Sequence, residues 1–407
     1  MTDPDYNGFL QTIYPATQWT VTRFSHGSTN ATHRAVKTAG DVGPTSVVLK
    51  HASPYFIDED TGKAQPFSIK RQEIEANIMT SYNQIVQPSV TGTQSWRLPL
   101  VLHRVEGKES ELLRTDKDEI ISLLLIEDLG NVRNLRDTIL AFAEADAASK
   151  VGDLVDKLGQ TLGTSLAIMH SADTTRAIEA SAIKDIMSER LTDEAVWFLA
   201  MELLPDHLSS APRGKDYFQW LADDMRNPPR AYPPCLMHGD FNYGNILMPA
   251  DAIETGNSQP ILADWEFATS RGRGVNGDLS EFLSIIHCRI IAGRNDAQRS
   301  TSTGLFRHLC ASFCTAYRER AGLVCKMDAD DLNTQLYRSA LLLSGRDVLT
   351  FANDACADDP SFDEMVRVGF WYFERAGASV EEFVKESNRA ELEKEDEGLV
   401  RSLFIFE

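Results

Sequence analysis

Apolar residues along this chain change their period part-way. Up to about residue 130 they come in short runs, many β-branched, separated by clusters of Gly, Ser, Asn and Pro. Residues 20–24, 32–37, 46–50, 98–102 and 121–126 therefore read as five strands. Residues 69–82 between them are long enough for one helix. After Leu129-Gly130 the spacing becomes helical. Leu154, Leu158, Leu162, Leu166 and Met169 recur every three or four residues, and Leu305, Leu309, Phe313 and Tyr317 repeat the stripe. Residues 336–343 form another apolar helical stretch, whereas residues 381–397 are dense in charge and read as a solvated helix. These periods predict an α+β chain: a small antiparallel-sheet lobe over 1–128 and a larger, mostly helical lobe over 129–407. Residues 127–130 would be the hinge.

With 407 residues, 43% of them hydrophobic, the chain can bury a large core without covalent staples. A net charge of −20 opposes nucleic acid or an anionic membrane as the main partner, since both need a basic face. Of six scattered cysteines only Cys310 and Cys314 are close in sequence, inside an apolar-periodic stretch. Buried thiols in a reducing cytosol fit this pattern better than a metal centre. The opening M-T-D-P-D-Y has no basic or apolar leader region, and the longest apolar run, 120–126, is too short to cross a bilayer. The expectation is a cytoplasmic protein without a membrane partner, its oligomeric state left open.

Chemistry is concentrated in two segments. Residues 238–245 read H-G-D-F-N-Y-G-N, and residues 261–266 read I-L-A-D-W-E. Phosphoryl transfer needs such a set: a carboxylate to take the proton of an acceptor hydroxyl, and an amide oxygen and a second carboxylate to hold magnesium over the phosphates. Asp240 would be the base, and Asn245 and Asp264 the metal ligands. Asp240 and Asn245 stand at the Asp-to-Asn spacing of the protein-kinase catalytic loop, with Asp264 at the end of the strand that follows. The polar, turn-rich stretch between the segments reads as a hairpin connection.

This pattern resembles the aminoglycoside phosphotransferase and choline kinase superfamily of small-molecule kinases. The resemblance runs from about residue 24 to about residue 283 and leaves about the last 120 residues without a matching motif. It implies a bilobal protein-kinase-like fold, ATP and Mg²⁺ as co-substrates, and a small molecule carrying a hydroxyl as acceptor. It also implies a phosphate-covering loop in F-S-H-G-S-T-N, where Ser25, Gly27, Ser28 and Asn30 could meet phosphate oxygens. That loop has one glycine where many relatives have two, and His26 would stiffen it. Lys50, ending S-V-V-L-K, would steady the phosphates, fixed by a helical glutamate. Glu75 opens E-A-N-I-M, which resembles the E-A-x-x-L of the superfamily and is favoured over Glu73. Glu127 and Leu129 would border the adenine through backbone groups and apolar walls. Asp278, in a G-D-L segment, would anchor the catalytic loop. Glu266 is left between a second metal, the substrate and solvent. His170 reads as a helix-end residue opposing the dipole, and His238 as a structural support of the loop.

Two rival readings remain. A protein kinase is disfavoured by the lack of an A-P-E element after Asp264. A non-catalytic nucleotide-binding pseudokinase is disfavoured by the joint presence of Lys50, Asp240, Asn245 and Asp264. The run V-V-L-K-H-A-x-P-Y resembles fungal members of the superfamily and methylthioribose kinases. Arg271, Arg273, Arg289 and Arg294 after the metal strand either pair with nearby acids or reach a phosphate. Phe370, Trp371, Tyr372 and Phe373 read as core. A neutral or cationic alcohol, amino alcohol or sugar is the expected acceptor.

Overall fold

The structure, a computed structural model, describes residues 4–24, 29–57, 62–86, 96–107, 111–113, 120–145, 148–189, 197, 201, 204–227, 234–294, 296–387 and 399–407. The chain opens with helix α1 (Tyr6–Ile13), strands β1 (Gln18–Arg23), β2 (Asn30–Ala39) and β3 (Ser46–Ala52), and a short ribbon of β4 (Tyr55–Ile57) and β5 (Ala64–Pro66). Helix α2 (Arg71–Ile85), β6 (Val101–Glu106) and β7 (Ser122–Glu127) complete this part. Its sheet has the order β1-β2-β3-β7-β6, with every neighbouring pair antiparallel.

The unbroken apolar run of β7 follows from burial on both faces of the sheet. Leu123 and Leu125 pack with Val47 and Leu49 of β3 and with Tyr6, Phe9 and Leu10 of α1. Leu124 and Ile126 point the other way, into the cluster that holds Ile74, Ile78 and Met79 of α2 and continues through the helical part of the molecule. Helix α1, capped by the Asp5 carboxylate on the Gly8 N–H at 2.8 Å, has no counterpart in the strand reading of the sequence. The strand expected at 98–102 begins three residues later, at Val101, past Pro99, which has no N–H for a ladder.

Next come β8 (Val132–Asn134), α3 (Leu135–Ala143), α4 (Ala148–Met169), α5 (Ala172–Glu179), α6 (Lys184–Ser188), α7 (Leu204–His207) and α8 (Gly214–Arg226). Strands β9 (Cys235–Met237), β10 (Ile246–Pro249), β11 (Ile261–Leu262) and β12 (Thr269–Gly272) frame the motif segments, with the short helix α9 (Ala252–Thr255) between β10 and β11. Then follow α10 (Asp278–Gly293), α11 (Ser300–Ala321), β13 (Val324–Cys325), α12 (Leu332–Cys356), α13 (Phe362–Ala376), α14 (Val380–Ser387) and β14 (Ile405–Phe406).

The stripe Leu154, Leu158, Leu162, Leu166 and Met169 is fully buried, as its period requires. Helix α4 lies close to α11 because Gly159 and Gly163 bring the backbones together. A Cβ at 163 would stand 2.2 Å from the Phe313 carbonyl oxygen, so only glycine fits. Part of the charged tail expected as a helix is α14; residues 388–398 lie outside the described residues. No helix among the described residues is long and apolar enough to cross a membrane.

Candidate active site

Lys50 enters the site from β3, its stem covered by the sheet. Its Nζ donates to both oxygens of Glu75 at 2.7 and 2.8 Å and to Asp264 Oδ1 at 2.6 Å. The partner is thus Glu75 and not Glu73, because only the former's position on α2 faces β3. Asp264 follows β11 with φ +66°, a left-handed conformation that costs a non-glycine residue on the order of 1–3 kcal/mol. Burial lowers the proton affinity of the Lys50 ammonium, but Asp264, Glu75 and Glu266 outweigh it and hold it above its ordinary value. Asp264 is pushed up by burial yet lies below the usual carboxylate range because Lys50 prevails. Burial raises Glu75 to about 7 against the pull of Lys50, aided by Asp264 and Glu266. Three carboxylates here, Glu75 among them, face two cations, Lys50 and Arg71.

The segment 238–245 is held from below. Asp278, at the start of α10, accepts the backbone N–H groups of His238 and Gly239, both at 2.8 Å. His170 Nε2 lies 3.3 Å from the same carboxylate and its Nδ1 3.1 Å from the Tyr317 hydroxyl. His170 is therefore tied into the loop anchor, a tertiary link that the helix-end reading of the sequence did not include. His238 Nε2 lies 3.0 Å from the Ala263 carbonyl oxygen and joins the two motif segments. Gly239 has φ +86°, and a Cβ there would stand 2.4 Å from the Phe267 oxygen. This turn presents Asp240 with both oxygens oriented: Asn242 Nδ2 donates to Oδ1 at 2.6 Å and Asn245 Nδ2 to Oδ2 at 2.8 Å. The interval between the motifs is a hairpin, with Ile246 opposite Leu262 and Leu247 opposite Ile261.

Glu266 neither faces solvent nor stands open to a metal. It is 1% exposed and accepts from Thr29 Oγ1 at 2.7 Å, Asn30 Nδ2 at 2.7 Å and Arg71 Nε at 2.9 Å. Arg71, in the first turn of α2, is fully buried and was not singled out from the sequence. Its other N–H groups reach the carbonyl oxygens of Thr29, Ser53, Phe67 and Ser68 and the Asn30 side chain, all at 3.0–3.1 Å. One signal was available: Arg71 stands four residues before Glu75, on the same face of a helix.

Lys50, Asp240, Asp264, Glu266 and Asn30 line one cavity of about 460 Å³. Its other wall comes from α10 and α12, where Glu281, Arg346, Asp347, Thr350, Phe351 and Asp354 face it. The α12 residues belong to the part of the chain that carried no motif. Ser25, Gly27 and Ser28 lie outside the described residues, as does His26. Glu127 and Leu129 do not line this cavity. The Glu127 carboxylate accepts from Arg97 at 2.5 Å and from the Leu100 N–H at 2.8 Å, and its own N–H goes to the Leu100 oxygen at 2.9 Å. Three of the four arginines after β11 are engaged elsewhere: Arg273 with Asp224 at 2.5 Å, Arg294 with Glu364 at 2.6 Å, and Arg289 with the Tyr243 hydroxyl at 2.8 Å. Tyr372 and Phe373 are core. The rings that reach the cavity are Phe267 and Phe351.

Both motif segments fall within one stretch that matches a family model. Residues 139–270 match the model of the phosphotransferase enzyme family. No curated protein matches the chain. Among solved structures, a proposed aminoglycoside phosphotransferase from Ralstonia eutropha JMP134 is 12% identical, with 93% of this chain and 97% of that one covered and a TM-score of 0.46. A choline kinase from Cryptosporidium parvum Iowa II is 10% identical, with 91% of each chain covered and a TM-score of 0.41. A glucosamine kinase, solved with glucosamine, ADP and inorganic phosphate, is 12% identical over 96% of this chain and 100% of that one, at a TM-score of 0.33.

The donor set of residues 240–264 suits a hard cation. Asn245 uses its amide N–H groups on the Asp240 carbonyl oxygen at 2.9 Å and on the Asp240 carboxylate, which turns its own carbonyl oxygen away from that loop. Asp264 spends Oδ1 on Lys50 and keeps Oδ2. Two oxygen donors of this kind would suit Mg²⁺, which binds through one or two protein oxygens and completes its shell with water and phosphate.

Proposed function

We propose that this chain is an ATP-dependent phosphotransferase that phosphorylates a hydroxyl group of a small molecule. The observation that carries the reading is the convergence of Lys50, Asp240 and Asp264 on one cavity, with Lys50 braced by Glu75. Asp240 would accept the hydroxyl proton, its carboxylate aimed by Asn242 and Asn245. Lys50 would meet phosphate oxygens, and Asn245 and Asp264 would hold Mg²⁺, which supplies neutralisation of the charge developing on the transferred group. Little covalent chemistry falls to the protein, so rate would come from placing the hydroxyl and the phosphate in line.

The acceptor side of the cavity supports a neutral or cationic alcohol. Among the described residues, Asp347 and Asp354 face it with Arg346, whose guanidinium pairs with Asp347, while burial holds the Glu281 carboxyl well above the usual carboxylate range. An anionic acceptor would meet like charge at close range. The test is ADP release with Mg²⁺ over amino sugars, choline-like amines, hydroxyindoles, free pentoses and homoserine, with Asp240→Asn as control. Acceptor-dependent release lost in the control supports the reading. Turnover confined to carboxylated or phosphorylated alcohols overturns the acceptor class, and equal turnover by the control overturns the site.

A further inference from the structure

A second pocket of about 190 Å³ lies between α3, α10 and α11, lined by residues that the reaction does not use. Arg136 of α3, Arg289 of α10 and Arg299 just before α11 converge on it, with Ser302, Thr303 and Asp359. Three guanidinium groups around a small concavity are unexpected on a chain of net charge −20. Asp359 accounts for Arg299, which it meets at 2.7 Å, and Asp296 adds a second carboxylate to that arginine at 3.1 Å. Arg136 has an exposed contact of 3.7 Å with Asp137. Arg289 donates Nη2 to the Tyr243 hydroxyl, an uncharged acceptor, and its Nε is buried with no hydrogen-bond partner among the described residues. Arg289 is therefore left without a close carboxylate among the described residues, and Arg136 has only the exposed contact with Asp137.

We propose that this pocket binds the phosphate group of a small phosphorylated ligand, at a site separate from the candidate active site. Planar guanidinium forks match the oxygens of a phosphate group, and three of them offer more N–H donors than the two oxygens of a carboxylate can use. The volume takes a phosphate group with a few further atoms and excludes a nucleotide. The guanidinium of Arg289 also lies over the rings of Phe351 and Tyr243, at 5.1 and 5.6 Å from their centroids. Phe351 is a wall of the candidate active site, and Tyr243 belongs to the catalytic-loop segment. Arg289 thus links this pocket to a wall of the other, which gives an occupant a packed connection to the loop.

The site is tested by calorimetric titration of inorganic phosphate into the full chain and into Lys50→Ala, Arg136→Glu and Arg136→Lys. Lys50→Ala removes the phosphate-seeking cation of the other cavity, so binding that survives it belongs elsewhere. Arg136 is partly exposed, so its replacement leaves the fold intact, which an unchanged melting temperature verifies. Saturable binding is expected in Lys50→Ala, weakened at least about tenfold by Arg136→Glu and largely kept by Arg136→Lys. No saturable binding in Lys50→Ala up to about 10 mM phosphate, or equal affinity in Arg136→Glu, overturns the proposal.

Discussion

Arg71 and Glu266 form an ion pair of 2.9 Å in which neither side chain is more than 1% exposed. Charges so far from water are held only where their remaining hydrogen-bonding capacity is met, because desolvation otherwise exceeds the mutual attraction. Here it is met. Arg71 reaches five further acceptors and lies over the Phe67 ring at 4.1 Å, while Glu266 also accepts from Thr29 and Asn30. The pair joins the first turn of α2, the start of β2 and the segment after Asp264. Since α2 also carries Glu75, the same clamp sets the orientation of the carboxylate that braces Lys50.

Removing one partner should therefore cost more than removing both. Glu266→Gln leaves a buried guanidinium uncompensated and is expected to lose about 3–5 kcal/mol of stability. Arg71→Met in the same protein should recover part of that loss. Urea denaturation of the two single variants and the double variant measures the coupling. Strictly additive losses would show that the two side chains do not act as a pair.

Asp240→Asn is expected to lower turnover by a factor of about 100 to 10,000. Nucleotide affinity should stay within a few-fold, because the role proposed for the carboxylate is toward the acceptor and not the phosphates. Steady-state ADP release beside nucleotide titration separates the two effects. A variant that turns over normally would remove Asp240 from the chemistry.

Asp264→Ala and Lys50→Ala should differ in their metal dependence. Without Asp264, ATP affinity is expected to become insensitive to Mg²⁺ or its removal by a chelator. Without Lys50, affinity falls while metal dependence persists. Calorimetry with and without Mg²⁺ distinguishes them, and unchanged metal dependence in Asp264→Ala would place the metal elsewhere.

Local spacing made much of this legible. Asp240 and Asn245 are close in sequence, so their types and interval could be read directly, and the strand leading to Lys50 showed in its β-branched run. Arg71 could not be read this way. Its role depends on meeting Glu266 and Asn30, residues far away along the chain. The cleft face of α12 was hidden for another reason. That helix buries Leu341, Leu342, Leu343, Ser344 and Gly345 in succession, so no polar stripe marks the side carrying Asp347 and Asp354. At β6 the pattern misled, since Leu100 and Leu102 are apolar yet 63% and 39% exposed.

All six cysteines are free and buried. Burial raises the Cys314 thiol to about 12 and Cys310 well above its ordinary value. Only a thiolate attacks a disulfide reagent, so the native protein should give little reaction at pH 8 and six equivalents after unfolding. Rapid native labelling of Cys310 or Cys314 would contradict their burial on α11.

Glu281 lines the cavity beside Asp240, and Asn242 Nδ2 reaches both, the former at 3.3 Å. Its carboxyl is held well above the usual carboxylate range, first by burial and then by the charges of Asp240 and Asp347. The folded state thus grips this proton more tightly than the unfolded chain does. The stability tied to that proton is fully present below the unfolded carboxylate value and is lost as pH climbs toward the raised one. Glu281→Gln has no such proton to lose and keeps a neutral group of similar shape. Its stability relative to the parent protein should rise from near pH 4 upward, where an unfolded glutamate begins to ionise, and be greater at pH 8 than at pH 5. Urea denaturation of both proteins across that range measures the difference. Parallel stability curves would mean that Glu281 is ionised in the folded cleft, and the acid-rich wall would then carry one more negative charge toward the acceptor.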